Sequence, residues 1–389
     1  MKKLTALVLA LCMALGLAAC GGSKDNGSAA GSTAAASGDT VKIGVFEPQS
    51  GDNGAGGKQE ILGVQYANSV APTVEIGGKT YNVKLEIVDN ESSNDKAVSA
   101  ASQLVSKGVS IAASDTFKNA GIPAMGITCT NPAVTAGNTH YFRACFIDSF
   151  QGPVLANYAY DNLKVKKAYC LSKLGDDYSG GLVSYFTKQF EAKGGEVVKA
   201  EFPEGNSDFT SYIANAKKEG CGVFYAPISI EAAQLVINQA ASQGLGMPLL
   251  AGDTWDSNVI LEAAKGTDVE IDVTTFYADG TNKDFEQKIK DWINGDSTNL
   301  KNNGGNDTLS AVTVMGYDAY MVALEALKAA GSTDPAAVMK ALPTVSYDGI
   351  TGTISFDENG DAKVKTAYVK TVDTKTGTWV GGGSVTMDE

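Results

Sequence analysis

Hydroxyl and carboxylate side chains follow several predicted strands of this 389-residue chain. The strand in MGITCTNPAVT runs into Thr128 and Thr130, and the Asn-Pro pair behind them predicts a turn. Hydroxyls and free backbone N–H groups at such a strand end can hold a carboxylate by several hydrogen bonds. Asp148 ends the short strand FRACFID, where a carboxylate can pair with an ammonium group. The pattern predicts a site for a small charged ligand.

Two stretches further along the chain add to this set. GDDYSGG places Tyr178 after a strand, and AGDTWDS places Asp253, Thr254 and Trp255 after another. We expect the charged groups to fix one end of a ligand and the aromatic side chains to line a side-chain pocket. Ordinary βα turns and helix caps produce the same spacings, so both interpretations stay open at this point.

Signals for catalysis or metal binding are few. His140 is the single histidine, so a Ser-His-Asp triad or a histidine-based metal site has little to draw on. GDNGAGGKQ departs from a phosphate loop because Gln59 follows Lys58 where Ser or Thr should stand, and it predicts a Gly-rich loop opening a helix at the cleft. Residues 357–361 have calcium-like spacing but no distal Glu, which favours a tight turn. We predict no enzyme, no cofactor and no metal site.

The N-terminal residues have the pattern of an export signal. Two lysines precede the apolar stretch LTALVLALCMALG, which is too short to span a bilayer. Small residues before Cys20 resemble a bacterial lipobox, so 1–20 is predicted as a lipoprotein signal peptide; an ordinary secretory signal with a chance cysteine is the alternative. Residues 21–40 predict a flexible linker. We expect a lipid-anchored protein on the extracytoplasmic face of the cell membrane, and the net charge of −13 argues against a nucleic-acid partner.

Four further cysteines remain after the predicted cleavage. None has the close paired spacing of a zinc site, and their neighbours are apolar. Buried free thiols are therefore favoured over disulfides. The four residues are Cys129, Cys145, Cys170 and Cys221.

Predicted strands and helices alternate from Val41 onward, which favours two doubly wound α/β lobes with ligands at the carboxyl ends of the strands. One stretch, LVSKGVSIAASDTFKNAGIPAMG, breaks the alternation. A helical stripe ends before Gly108, and a second helical segment is predicted to begin at Ile111. We therefore expect either that the N-terminal lobe lacks one strand between Gly108 and Ile111, or that 108–111 is a strained crossing in a weakened lobe.

These stretches together resemble the leucine/isoleucine/valine-binding family of substrate-binding lipoproteins of ABC transporters. The likeness covers 41–372 and is most specific in GIPAMGITCTNPAVT, FRACFIDSFQGPVLANY, GDDYSGGL, LLAGDTWDS and TISFDENGDA. It implies the type I periplasmic-binding fold, with two Rossmann-like lobes joined by a hinge of three crossings. The implied lobes are 41–147 plus 276–342 and 148–275 plus 343–389, with crossings near 147–149, 274–277 and 342–346.

The resemblance also implies a function. A monomer would capture an amino acid, branched-chain or otherwise apolar, between its lobes and deliver it to the permease of an ABC transporter. Thr128 and Thr130 match positions that hold the ligand carboxylate and ammonium, Asp148 matches the ammonium partner, and Tyr178 matches a cleft tyrosine. Asp253 or Asp256 would supply a further carboxylate.

Family members usually carry a buried strand and a Gly/Ser-rich, carboxylate-binding loop where this chain has only Val109 and Ser110. About ten residues are therefore absent, roughly one strand with a short loop. Ser110 and Ser114 are the local hydroxyls left to hold a ligand carboxylate. Two other functions stay open: a sensory or scavenging lipoprotein for another small polar ligand, and a paralogue with an impaired pocket.

Overall fold

The computed structural model describes residues 39–112, 115–364 and 366–386. Cys20, the predicted signal peptide, nearly all of the predicted linker, and Ser114 lie outside the described residues. Within those ranges, no helix combines the length and apolar character that crossing a membrane requires.

Strands and helices alternate through most of the chain, as predicted. The strands are β1 Thr40–Glu47, β2 Thr73–Ile76, β3 Lys79–Asp89, β4 Ala124–Gly126, β5 Tyr141–Arg143, β6 Lys167–Lys173, β7 Glu196–Phe202, β8 Val223–Tyr225, β9 Leu249–Ala251, β10 Ile271–Thr275, β11 Ser346–Gly349, β12 Gly352–Ser355, β13 Thr366–Asp373 and β14 Thr378–Thr386. The helices are α1 Gly54–Val70, α2 Asn94–Ser106, α3 Asp115–Asn119, α4 Asp148–Asn157, α5 Asp177–Ala192, α6 Thr210–Lys218, α7 Ile230–Ser242, α8 Asn258–Ala264, α9 Lys283–Asn294, α10 Ser297–Asn302, α11 Ala311–Ala330 and α12 Pro335–Ala341.

The first lobe contains β1 to β5. β1 pairs in parallel with β3, β2 pairs antiparallel with β3, and β4 pairs in parallel with β5. Helices α1 and α11 pack against each other at very short distance, because Gly63 lies against the Thr313 carbonyl and Gly316 lies against the Glu60 carbonyl. A Cβ atom at Gly63 would stand 1.9 Å from the Thr313 oxygen, so glycine is needed there for the helices to approach.

The strand expected to be missing from this lobe is present in shortened form. Residues 110–112 run between β1 and β4: Ser110 N–H donates to Lys42, and Gly44 N–H donates to Ile111. On the other side, the Ala112 N–H donates to Pro123. The prediction of a helix beginning at Ile111 was wrong, whereas a full strand is absent between α2 and α3 among the described residues. The short bridging segment supplies partners for backbone groups that a buried parallel sheet would otherwise leave unpaired.

The second lobe is built on a single sheet with the strand order β14-β13-β10-β9-β8-β6-β7. The strands β10, β9, β8, β6 and β7 are parallel to their neighbours, and β13 joins β10 antiparallel. Apolar side chains of the strands and of α6, α7 and α8 form one core on this sheet. The prediction of a second parallel sheet with its own helices is confirmed.

The last crossing between the lobes lies later than predicted. The hairpin β11–β12 packs on α11 of the first lobe, where the Asp318 carboxylate accepts N–H bonds from Ile350 and Thr351 at 2.9 and 2.8 Å. Arg143 of β5 pairs with Asp361 at 2.6 Å. The chain enters the second sheet only at β13, so 343–364 belongs with the first lobe. The predicted boundary near 342–346 is corrected, since the partner of a hairpin is set by long-range contacts that a local pattern does not contain.

Candidate ligand-binding cleft

A cavity of about 370 Å³ lies between the two lobes, at the carboxyl ends of their central strands. Its wall combines residues from β1, α1 and the loop after β4 with residues that follow β6, β8 and β9. The lining residues are Glu47, Pro48, Asp52, Asn53, Gly56, Gly57, Glu60, Ser92, Thr128, Cys129, Thr130, Asn131, Val134, Lys173, Asp176, Tyr178, Ser229, Ile230, Asp253, Thr254, Asp256 and Val312.

Two glutamates form the first-lobe wall. Glu47 ends β1 and Glu60 lies in α1, and the two side chains are 9% and 6% exposed. Burial first, and then the charge of Glu60, raise the pKa of Glu47 well above its ordinary value. Burial also raises the pKa of Glu60, although the Thr128 hydroxyl donates a hydrogen bond to its carboxylate. Each carboxylate is thus held in an environment that disfavours its charge.

A second acidic group lies around Gln151 in α4. Its amide nitrogen donates to Asp253 at 2.8 Å and to Asp148 at 3.3 Å, and the Tyr178 hydroxyl donates to Asp253 at 2.9 Å. The Gln151 oxygen accepts the Asp253 N–H at 2.8 Å and the Thr274 hydroxyl at 2.5 Å, which fixes the orientation of the amide. This network holds two carboxylates from different elements at one end of the cavity.

The ionisation of this group reflects its burial. Burial, followed by the charge of Asp253, raises the pKa of Asp148 to about 7, and the nearby Thr130 hydroxyl acts in the opposite direction. Burial raises the pKa of Asp253 to about 6, against the hydrogen bonds from Gln151 and Tyr178. A cation placed beside Asp148 and Asp253 would favour the ionised form of both carboxyl groups and would form charge-assisted hydrogen bonds with them.

Several polar atoms here have no partner of standard geometry. The buried oxygens Thr130 Oγ1, Asp148 Oδ2 and Asp256 Oδ1 make no hydrogen bond of standard geometry among the described residues. Thr130 is 2% exposed and lines the cavity, and Asp148 is fully buried behind it. Since buried polar groups are normally satisfied, such atoms indicate a place for a ligand or ordered water.

Arg143 positions the loop that carries Thr128 and Thr130. Its guanidinium is fully buried, pairs with Asp361 at 2.6 Å, and donates to the backbone carbonyls of Cys129 and Asn131 at 2.6 and 2.8 Å. The planar guanidinium can contact several acceptors at once, which a lysine cannot do. The loop is therefore held from the side opposite the cavity.

The two lobes touch at the rim of the cavity. Lys173 of β6 pairs with Asp52 at 3.2 Å, and the first N–H groups of α7 donate to Asn53 Oδ1 and to the Asp52 carbonyl at 3.4 and 3.3 Å. The loop before α1 thus caps the start of α7. These contacts describe a closed arrangement around the cavity.

The structure brings most of the predicted residues together. Thr128, Thr130, Tyr178, Asp253 and Thr254 all line the one cavity, and Asp148 lies directly behind it. The Gly-rich loop before α1 also reaches the cleft, as predicted. The contact of these side chains with a ligand stays a prediction.

Two predicted residues face elsewhere. The Ser110 hydroxyl donates to the Thr333 carbonyl at 2.8 Å and is not among the lining residues. Trp255 is fully buried in the second-lobe core, where its indole N–H donates to the Ile228 carbonyl at 2.9 Å. Both predictions are corrected, because the direction of a side chain depends on what the loop packs against. Ser114 lies outside the described residues.

Sequence reasoning did not identify Glu47, Glu60 and Lys173. Glu47 and Lys173 each end a strand, so the rule that ligands bind at the carboxyl ends of strands would have found both. Glu60 lies on the buried face of α1, beside Ile61 and Val64. A charged residue on an apolar helix face was the signal for it.

The cysteines are free thiols, as predicted, in the part of the chain that the structure describes. Cys145, Cys170 and Cys221 are buried, and Cys129 reaches the cavity, where its sulfur lies 3.3 Å from the Tyr141 hydroxyl. Burial raises the pKa of the Cys129 thiol, so it stays protonated at neutral pH. The described residues contain no cluster of three or more potential metal ligands.

Comparisons with known proteins support the same fold. A family model described as periplasmic binding protein matches residues 40–378. The chain is 29% identical over 340 residues to the Leu/Ile/Val-binding protein homolog 1 of Brucella suis, and the alignment covers 83% of this chain and 88% of that protein. The crystal structure of a leucine-binding protein LivK from Thermotoga maritima has 30% identity and a TM-score of 0.76, and the alignment covers 89% of this chain and 99% of that one. LivJ from Streptococcus pneumoniae, solved with isoleucine, has 25% identity and a TM-score of 0.76, with 90% and 100% covered.

Proposed function

The chain belongs to the periplasmic binding protein family and has the type I fold, and on that premise we propose that it is an extracytoplasmic lipoprotein which captures an amino acid or a related amine for an ABC transporter. The ligand would bind between the lobes and stabilise the closed arrangement, because only that arrangement contacts it from both sides. The names of the similar proteins, which include leucine-binding and Leu/Ile/Val-binding proteins, support an amino acid as the ligand class.

The observation that carries the proposal is the pair of buried carboxylates at one end of the cavity. Asp148 and Asp253 meet there around Gln151, and Asp148 has an oxygen with no partner. An ammonium group provides three N–H donors and a positive charge, which fits two carboxylates and the unpartnered Thr130 hydroxyl. We therefore assign the ligand ammonium to this end.

Delivery to a permease and membrane anchoring are further parts of the proposal. The lipobox pattern at Cys20 and the absence of apolar bulk in the linker support a folded domain tethered to the membrane surface. A monomer carrying one ligand per cleft would then present the closed lobes to its permease.

Isothermal titration of the purified full chain carrying Cys20→Ser, which cannot be lipidated, tests the binding step. We expect saturable heat with at least one amino acid or amine out of a panel, at one site per chain. Asp253→Asn should weaken that binding, whereas Asp268→Asn, which removes an exposed charge, should leave it unchanged. No heat and no thermal shift with any compound would reject the proposal.

Metabolic labelling with a radioactive fatty acid tests the anchor. The wild-type chain should incorporate label and remain with the membrane fraction, and Cys20→Ser should do neither. Release of the unlabelled wild-type chain into the medium would contradict the lipoprotein assignment while leaving the binding function intact.

A further inference from the structure

The charges around the cleft are strongly unbalanced. Six of the described lining residues carry a carboxyl group, whereas one other lining residue, Lys173, carries a cationic group. Asp148 adds a further carboxylate just behind the wall. The acidic lining residues are Glu47, Asp52, Glu60, Asp176, Asp253 and Asp256.

The cations near the cavity are already paired. Lys173 contacts Asp52 at 3.2 Å and Glu204 at 2.6 Å, both at the rim. Lys370, behind Asp256, contacts that residue at 3.1 Å and Asp279 at 3.2 Å. These pairs leave neither lysine free to hold the carboxylate of a ligand.

After those pairs are assigned, two buried pairs of acidic side chains form no ion pair among the described residues. One is the Glu47–Glu60 pair in the first-lobe wall, and the other is the Asp148–Asp253 pair around Gln151. Glu47, Glu60 and Asp253 line the same cavity of about 370 Å³. A single small ligand can therefore reach both.

Donors for an anionic group are scarce by comparison. The first turn of α5 is capped by Asp176, whose carboxylate accepts the Ser179 N–H at 2.8 Å. The first turn of α7 is occupied by Asn53 and the Asp52 carbonyl. The N-terminus of α1 also lies beside the cavity, and it could contribute only weakly to the binding of an anionic ligand group.

From this arrangement we infer that the natural ligand is an organic cation with two positively charged nitrogen groups, such as a diamine or a basic amino acid. One nitrogen binds at Asp148 and Asp253, and the second binds at Glu47 and Glu60. The inference rests on the proposed function, since it names the class of solute that the same cleft captures. A branched-chain amino acid has only one cationic group and would leave the glutamate pair without a cationic partner.

The contacts give the second nitrogen a defined place. Glu60 accepts the Thr128 hydroxyl, Glu47 and Glu60 hydrogen-bond each other, and both residues line the cavity, so a cation placed beside them meets carboxyl oxygens of both. Burial raises the pKa of both carboxyl groups, and a bound cation would favour their charged forms. This electrostatic gain is specific to a cation, because a neutral ligand side chain would not stabilise the charged carboxylates.

Isothermal titration with cadaverine, lysine and leucine tests this assignment at pH 7.5. We expect cadaverine or lysine to bind at least about tenfold more tightly than leucine, as one additional charge-assisted contact predicts. Glu60→Gln and Glu47→Gln should each weaken the binding of the cation by about tenfold or more while leaving leucine affinity within about twofold. Glu262→Gln, an exposed charge removal in α8, is the matched control and should change nothing.

The outcomes separate this inference from the proposed function. Tighter binding of leucine than of both amines would overturn the inference and leave the function standing. Binding of neither class by the folded wild-type chain would overturn both. If one glutamine variant fails to fold, the other provides the same comparison, and unchanged cation affinity in a folded glutamine variant would also overturn the inference.

Discussion

Glu47 at the end of β1 and Glu60 in α1 place two buried carboxyl groups side by side in the wall of the interlobe cavity. Burial first, and then the neighbouring carboxylate, raise the pKa of Glu47 well above its ordinary value. Such a pair costs free energy of folding at neutral pH, because the unfolded chain can ionise both groups in water. Its presence in the cleft indicates a trade of stability for binding.

Replacing one member of the pair should stabilise the ligand-free protein. Glu47→Gln keeps the shape of the side chain and removes the ionisable group, so we expect a gain of more than about 1 kcal/mol at pH 8. The gain should shrink at pH 4.5, where the unfolded chain no longer gains from ionisation. Calorimetric unfolding without ligand measures it, with Glu262→Gln as the control. A lower unfolding temperature of Glu47→Gln at pH 8 would contradict the cost assigned to the pair.

The ligand-free protein should lose stability as the pH rises. The pKa of Asp148 is raised from 3.8 to about 7 and that of Asp253 from 3.8 to about 6, so the folded state binds more protons than the unfolded state between these values. The stability that these groups contribute is therefore complete below pH 3.8 and is lost as the pH rises through about 6 to about 7. Thermal unfolding across this range should show the fall. The double variant Asp148→Asn and Asp253→Asn should flatten it, and a profile that rises from pH 5 to pH 7.5 in both proteins would refute the prediction.

Removing the guanidinium behind the ligand loop should destabilise the first lobe. Arg143→Met leaves the carbonyls of Cys129 and Asn131 without their donor and Asp361 without its cation, and we expect a loss of about 3 kcal/mol. Lys328→Met removes an exposed lysine that pairs only with Glu325, and should cost less than about 1 kcal/mol. Urea unfolding measures both. Equal losses in the two variants would show that Arg143 does not hold the loop.

The contact between α1 and α11 gives a test of packing. Gly63→Ala would place a Cβ 1.9 Å from the Thr313 carbonyl oxygen, so the helices must separate, and we expect a loss of about 1–3 kcal/mol. Gly180→Ala in α5 meets no atom within 4 Å and should stabilise by up to about 1 kcal/mol through helix propensity. We expect the changes in unfolding free energy, relative to the wild-type protein, to have opposite signs in the two variants. Two losses of similar size would mean that the helix contact is not the cause.

Local pattern identified a large part of this site. Thr128, Tyr178 and Asp253 each follow a strand, and the carboxyl ends of parallel strands meet at one edge of a sheet. Their convergence on one cavity therefore follows from the alternation of strands and helices. The free cysteines and the two-lobe fold follow from the same local signals of spacing and apolar neighbours.

Other features depend on distant parts of the chain. The strand segment at 110–112 is only three residues long, and its place became clear only from its hydrogen bonds to β1 and to the residues before β4. Trp255 follows a strand as the predicted cleft residues do, but its indole turns into the core toward Ile228. A short segment does not carry enough periodicity to decide either question, because strand pairing and side-chain direction are settled by packing.

The amino-acid sequence by itself determined the two α/β lobes and the strand-end residues that line the cleft, because periodicity and turn chemistry are local properties. The tertiary structure alone decided that Glu60 of α1 lies beside Glu47, that Asp148 meets Asp253 around Gln151, and that Arg143 pairs with Asp361. These partners are far apart in the chain, and only the packing of helices on sheets and of one lobe on the other brings their charges together. The charge of the cleft, and with it the class of ligand we infer, is therefore a property of the folded protein.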